Sequence, residues 1–189
     1  MKNLFGYVTC KILPYGICIV LSSCIQNNKQ RVVHAVEAML GRHIIMPNDM
    51  CQFSQKGDSV VYMNSSQDHI FIYFSSDYCP ECNVWRIQEW RNIESQFDRV
   101  QFVYIISTDK TNLHEIKEEL DVIYTSKSLI YLDINNSFEN MNPFINGNPI
   151  YHVFWTDSDN KIKIVGDPFY SQQMYDMYKK YYKSMKLRQ

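Results

Sequence analysis

The chain has no second Cys-x-x-Cys and no close histidine pair to accompany its single dithiol motif, so the four-ligand set of a structural zinc site is missing. It has no excess of positive charge: 19 basic residues face 20 acidic ones, a net of −1, which argues against a nucleic-acid partner. Internal repeats and low-complexity tracts are absent. So is the composition of a disordered chain, because 46% hydrophobic and 14% aromatic residues form a globular balance. At 189 residues the default is one domain with a sizeable core.

The N-terminus reads as lying outside that domain. Lys2 and Lys11 are its only charges, an apolar segment follows at 12–21, and Leu21-Ser22-Ser23-Cys24 comes next. The apolar run is too short for a comfortable membrane span. A basic flank, a short apolar stretch and small residues are the parts of an export signal. Leu-Ser-Ser-Cys resembles the lipobox of bacterial lipoproteins, and that resemblance implies cleavage before Cys24 and lipid on its new N-terminus. The expected organisation is a signal peptide at 1–23, a tether at 24–31 and a folded domain at 32–189. Loss of Lys2 and Lys11 would leave 17 basic against 20 acidic residues, a net of −3. It would also remove Cys10 and Cys18, leaving Cys24, Cys51, Cys79 and Cys82, too few for a scaffold of several structural disulfides. Cys51 is expected to be a small buried hydrophobe.

Periodicity supplies the elements. Val32, Val33, Val36, Met39 and Leu40 recur at helical spacing, with Gly41 as C-cap. Residues 44–46 are a short apolar run. Residues 48–68 are hard to read, with one possible strand at 60–63. Residues 70–74 and 100–106 are continuous apolar runs, the signature of strands buried on both faces. Ile87, Trp90, Ile93 and Phe97 mark a helix face between them. Asn112 with Glu115 reads as the start of a helix whose stripe is Leu113, Ile116 and Leu120. Residues 129–134 read as a strand. Residues 150–156 and 161–165 read as a hairpin, the second strand wet on the side of Lys161 and Lys163. Ser171 is placed to cap a final helix with Met174, Met177, Tyr178, Tyr181 and Met185 inward.

The most informative motif is Cys79-Pro80-Glu81-Cys82, between the strand at 70–74 and the helix that follows. Two thiols at this spacing can close a small disulfide ring and reopen it. At a helix N-terminus, backbone N–H groups and the helix dipole favour a Cys79 thiolate. Cys82, one turn inside, is within reach of whatever Cys79 has bonded. Pro80 suits the first helical turn, where its missing N–H costs nothing.

This order, with Cys-x-x-Cys after the first long buried strand and a proline before the hairpin, resembles the thioredoxin fold over roughly residues 55–185. With the lipobox it is similar to the exported TlpA/ResA-like lipoproteins. The resemblance implies an α/β fold with a central mixed β-sheet flanked by helices on both faces. It makes Cys79 the nucleophile, Cys82 the resolving thiol and Pro149 the cis-proline facing them. Tyr78, Pro80, Asn148 and Pro149 would meet the substrate, Asn148 pairing with its extended backbone. The implied protein is a periplasmic thiol–disulfide oxidoreductase tethered to the membrane of a Gram-negative envelope through lipid on Cys24. It acts on cysteine-containing proteins or peptides, is reset by a second redox protein, and requires no metal or organic cofactor.

The motif departs from thioredoxins proper. Tyr78 stands where they have Trp, and Pro80-Glu81 replaces Gly-Pro, closer to glutaredoxins and periplasmic disulfide oxidases. Six residues before the nucleophile, where thioredoxins keep a buried acid, this chain has Tyr73, which cannot act as a base near neutral pH. Glu81 either substitutes for that acid or is a solvated surface group, and the direction of electron flow stays open. Other readings of the cysteine pair are a permanent structural disulfide, a copper–thiolate carrier joined by His114 or His152, and a non-catalytic binding module. Peroxide reduction finds no support beyond the shared fold.

Overall fold

Apolar runs without polar alternation form the centre of the sheet, as their composition requires. The structure, a computed structural model, describes residues 30–55, 62–75, 80–123, 128–145 and 149–187, with 80–84 and 150 described in backbone only. The chain falls into two compact units, residues 1–38 and 39–189. In the first, residues 30–38 are helical, and His34 and Glu37 lie 3.7 Å apart. This helix, α1, closes at residue 39, the first residue of the second unit. Gly41 follows at φ 79°, the left-handed conformation expected of a helix-terminating glycine.

The second unit holds a six-stranded sheet in the order β1-β4-β3-β2-β5-β6. Its strands are β1 (Cys51–Phe53), β2 (Asp68–Phe74), β3 (Val100–Ser107), β4 (Leu129–Asp133), β5 (Val153–Thr156) and β6 (Ile162–Val165). Strands β2, β3 and β4 are parallel; β1, β5 and β6 add antiparallel pairs. The fold class is the mixed sheet expected. Helices α2 (Pro80–Glu94) and α3 (Leu113–Ile123) make the two parallel crossovers. Strand order advances in one direction through both, so right-handed crossovers place both helices on one face. There they share a core with α5 (Gln172–Lys186).

That core is built from Ile70, Ile72, Phe74, Phe102, Tyr104 and Ile106 of the sheet against Ile87, Trp90 and Ile93 of α2, with Ile116 and Leu120 of α3. Alternate residues face the other way. Phe71 stacks on Phe154 at 5.3 Å and on Phe138 at 6.4 Å, and Phe138 belongs to α4 (Ser137–Met141). Both faces of the central strands are thus covered, which explains why β2 and β3 lack polar alternation. Backbone bonds from residues 41–44 cover the free edge of β6: Gly41 donates to Ile162 at 2.9 Å and Ile162 to Arg42 at 2.8 Å.

Several expectations need correction. Cys51 is exposed, on the edge strand β1. Its strand is not legible in the sequence, because three residues carry too little periodicity. Residues 62–63 of the expected strand at 60–63 are irregular, and 60–61 lie outside the described residues. The first hairpin strand begins at Val153, because Pro149–Tyr151 form a 3-10 turn. On α5 the buried residues are Tyr178, Tyr182 and Met185, while Met177 is exposed. Tyr182 lies on the inward stripe one helical turn beyond Tyr178. At the start of α3 the Asp109 carboxylate, not the Asn112 side chain, accepts the N–H groups of Thr111 and Asn112, both at 2.9 Å. Ser171 caps α5 as expected, accepting the N–H of Met174 at 3.2 Å.

Candidate active site at the N-terminus of α2

The described chain leaves β2 after Phe74 and re-enters at the start of α2. Pro80 opens α2 and Cys82 is its third residue. Cys79, Tyr78, Asn148 and Cys24 lie outside the described residues, as does the bond joining Asn148 to Pro149, and so do the signal and tether at 1–29. Glu81, Pro80 and Cys82 are placed in backbone only. Pro149 is exposed at the start of its 3-10 turn, three residues before Tyr73's backbone partner: Tyr73 N–H donates to the His152 carbonyl at 2.9 Å, and His152 N–H donates back to the Pro149 carbonyl at 3.0 Å. Backbone bonds therefore join the strand leading to the cysteines to the turn that carries the proline.

On the helix side, Arg86 of α2 donates to Asp167 Oδ2 at 3.0 Å and lies 5.9 Å from the centre of the Phe74 ring. Asp167 is buried, and its other oxygen accepts the N–H of Phe169 at 2.8 Å. The Phe169 ring meets Trp90 edge-on at 4.9 Å. This ties the loop after β6 to the middle of α2, at Arg86 and Trp90. Trp85, Phe169 and Tyr170, next to the ion pair in sequence, are exposed.

On the opposite face, Tyr73 is buried with its hydroxyl 2.9 Å from Glu139 Oε2 and 3.0 Å from Asn136 Oδ1. Burial, reinforced by Glu139, pushes this phenol far above its ordinary range, so it stays protonated. The His152 ring contacts the Tyr73 ring edge-on at 5.0 Å. Sequence reasoning noticed Tyr73 only as a missing acid and left Asn136 and Glu139 unread. The available signal was Asp133: its carboxylate accepts the N–H groups of Ser137 and Phe138, both at 2.8 Å, and so starts α4.

A cleft of about 720 Å³ lies at the other end of α2, with Arg91, Glu94, Asp98 and Gln101 in its wall. Arg91 is about 13 Å along the helix axis from Cys82 at 1.5 Å per residue, so this cleft is remote from the dithiol. Its Glu94 is engaged, accepting from the Tyr104 hydroxyl and, at 2.9 Å, from Ser128. Among the described residues no three Cys, His, Asp or Glu side chains converge as metal ligands. His114 is exposed, 3.4 Å from Glu118, and His152 is buried against Tyr73.

A parallel β2-α2-β3 unit, with β5 and β6 antiparallel beyond β2 and a closing helix on the α2 face, decides the architecture. The fold is thioredoxin-like. No family model matches the chain, and no curated protein does. Among solved structures, an uncharacterized thioredoxin-like protein from Porphyromonas gingivalis is similar at 19% identity and TM-score 0.42, over 62% of this chain and 74% of its own. AhpC of Mycobacterium tuberculosis matches at 13% identity and TM-score 0.37, over 55% and 63% of the two chains. A secreted Mycobacterium tuberculosis disulfide oxidoreductase homologous to E. coli DsbE matches at 13% identity and TM-score 0.36, over 55% and 71%. In this thioredoxin-like chain β4 and the antiparallel β1 extend the sheet beyond β3, and α4 fills the face opposite α2.

Proposed function

We propose that this protein is an exported thiol–disulfide oxidoreductase whose reacting atoms are the sulfurs of Cys79 and Cys82. The supporting observation is the position of the motif: Pro80 is the first residue of α2, so Cys79 immediately precedes a 15-residue helix. The unpaired N–H groups and dipole at that end favour a thiolate there. In the reductive direction, Cys79 thiolate attacks a substrate disulfide, forms a mixed disulfide and releases one substrate thiolate. Cys82 thiolate then attacks Cys79 Sγ, closes the Cys79–Cys82 disulfide and releases the second. Two electrons pass to the substrate, and a separate dithiol protein returns them. The reverse sequence oxidises a substrate dithiol. Neither direction requires a metal or organic cofactor.

The partners in this reading are cysteine-containing proteins or peptides, held near Tyr78, Pro80, Asn148 and Pro149. Lipid on Cys24 holds the domain at a periplasmic membrane surface. The decisive experiment is disulfide trapping in cells. Cys82→Ala should accumulate mixed disulfides through Cys79, since the resolving thiol is gone, whereas Cys79→Ala should accumulate few. Negligible trapping by both variants would refute the exchange reaction and leave a docking domain. Copper bound stoichiometrically by reduced protein, and lost in Cys79→Ala, would replace redox exchange with metal transfer. Cys24→Ala should abolish incorporation of labelled fatty acid and release the protein from membranes; unchanged membrane association would sink the lipid anchor.

A further inference from the structure

Positive charge is gathered at the C-terminal end of the chain. Residues 171–189 hold five basic residues and one acidic one, a net of +4, whereas residues 1–170 hold 14 basic and 19 acidic ones, a net of −5. Within α5 the division is by face: Tyr178, Tyr182 and Met185 are buried, while Lys179, Lys180, Lys183 and Lys186 are exposed. At about 100° per residue the four lysines fall within an arc of about 120° on the outward side.

The fold does not neutralise this face. Asp98 accepts from the Tyr182 hydroxyl and lies 3.4 Å from Lys186. Asp176 accepts from Gln172 at 2.9 Å, and the buried Asp167 pairs with Arg86. Lys179, Lys180 and Lys183 make no ion pair among the described residues. Lys179 and Lys186 sit over the Tyr175 and Tyr182 rings, each 4.4 Å from the ring centre, contacts that hold an ammonium group without cancelling its charge. Lys183 and Lys186 complement the helix dipole in the last turn, but Lys179 and Lys180 precede that turn and have no such role.

Two exposed apolar side chains accompany the lysines. Leu187, 88% exposed, follows Lys183 by one turn, and Met177, 40% exposed, lies three residues before Lys180. A dissolved polyanion gains nothing from an exposed leucine. An anionic bilayer offers phosphates to the lysines and, beneath them, an apolar layer to Leu187 and Met177.

We propose that the outward face of α5 docks on an anionic lipid bilayer, with Lys179, Lys180 and Lys183 on headgroup phosphates and Leu187 at the edge of the apolar layer. The inference extends the membrane reading above and uses neither Cys79 nor Cys82. A tether limits distance from a membrane, whereas a charged face sets which side of the domain turns towards it.

The test uses the full chain carrying Cys24→Ala, so that no acyl chain contributes. Protein is sedimented with vesicles of phosphatidylcholine, alone or mixed with phosphatidylglycerol. The helix should favour the phosphatidylglycerol vesicles, and rising salt should remove the preference. The apolar segment at 12–21 carries no charge and so leaves that ratio unchanged. Lys179→Gln, Lys180→Gln and Lys183→Gln replace exposed residues with another good helix former, and each should cost about fivefold in the preference. The triple variant should keep its parent's circular dichroism and urea midpoint. Leu187→Ser should weaken vesicle binding without changing its salt dependence. Equal binding to both vesicle types, or a triple variant that retains the preference, would overturn the inference. So would tighter, lysine-dependent binding to duplex DNA at equal phosphate concentration, which would assign the face to nucleic acid. In cells, salt releases protein held by α5 but not protein held by lipid, so failure of this inference and failure of the Cys24 anchor are told apart.

Discussion

Replacing Asn142 by alanine should cost about 2–3 kcal/mol, a large share of a domain's net stability. Asn142 is fully buried just beyond α4, and its side chain clamps a distant segment. Its Oδ1 accepts the N–H of Ile45 at 2.9 Å, while Nδ2 donates to the Ile45 carbonyl and to the Phe138 carbonyl, both at 2.8 Å. At about 1 kcal/mol net per bond, the sum is about 3 kcal/mol. Two features keep the loss from growing further. The Phe138 carbonyl retains the backbone N–H of Asn142, and Ile45 is half exposed, so water can reach the groups left behind. For a chain of this size the loss corresponds to a fall in Tm of roughly 5–10 °C. Urea denaturation followed by circular dichroism should show a lower midpoint at unchanged slope. Asn142→Asp should cost more than alanine, since it removes both donors and sets a carboxylate against two carbonyls. A loss below about 0.5 kcal/mol for alanine would refute the idea that this amide anchors residues 44–50 to α4.

Other outcomes follow from local geometry. His69 is buried, and that burial holds its imidazole below the ordinary value of 6.5. Its folded pKa is depressed, so below about pH 6.5 the unfolded chain binds the extra proton and stability falls as pH drops; a His69→Gln variant should show a flatter pH dependence in urea titrations between about pH 5 and 6.5, and an unchanged slope would assign the effect elsewhere. Gly166 has φ 127°, and an added Cβ would stand 2.5 Å from Met174 Cε. Gly166→Ala should therefore lose about 1–3 kcal/mol in the same assay, and a neutral result would mean that the backbone relaxes freely. Ser171→Ala should cost about 1 kcal/mol through the lost cap of α5, with Ser171→Asp restoring it; equal stabilities of all three would refute the capping role.

Much of this architecture is legible in the chain because its signals are local. Continuous apolar runs at 70–74 and 100–106 can be satisfied only by burial on both faces. Ile87, Trp90 and Ile93 recur at a spacing that only a helix turns to one side. Ser171 announces the start of α5 through a hydroxyl and a backbone N–H three residues apart. The start of α2 is legible too, since Pro80 suits a first helical turn. Less legible were elements stabilised from far away. β1 exists because Cys51, Gln52 and Phe53 pair with Leu132, Tyr131 and Ile130, an arrangement its own three residues do not encode. α4 is five residues long, too short to stand on propensity, and persists because Asp133 caps it and Phe138 stacks on Phe71.

What the sequence by itself determined, then, is the set of segments able to bury themselves and the proline at which one of them becomes a helix. Periodicity and spacing act over a few residues, so they survive without knowledge of the partners. Only the tertiary structure decided which side chains meet across the sheet: that Cys51 faces solvent, that Tyr182 turns inward where Met177 does not, and that the phenol of Tyr73 finds the carboxylate of Glu139, 66 residues away. The physical reason is that a buried polar group must find a partner wherever the fold supplies one, and chain distance has no part in that choice.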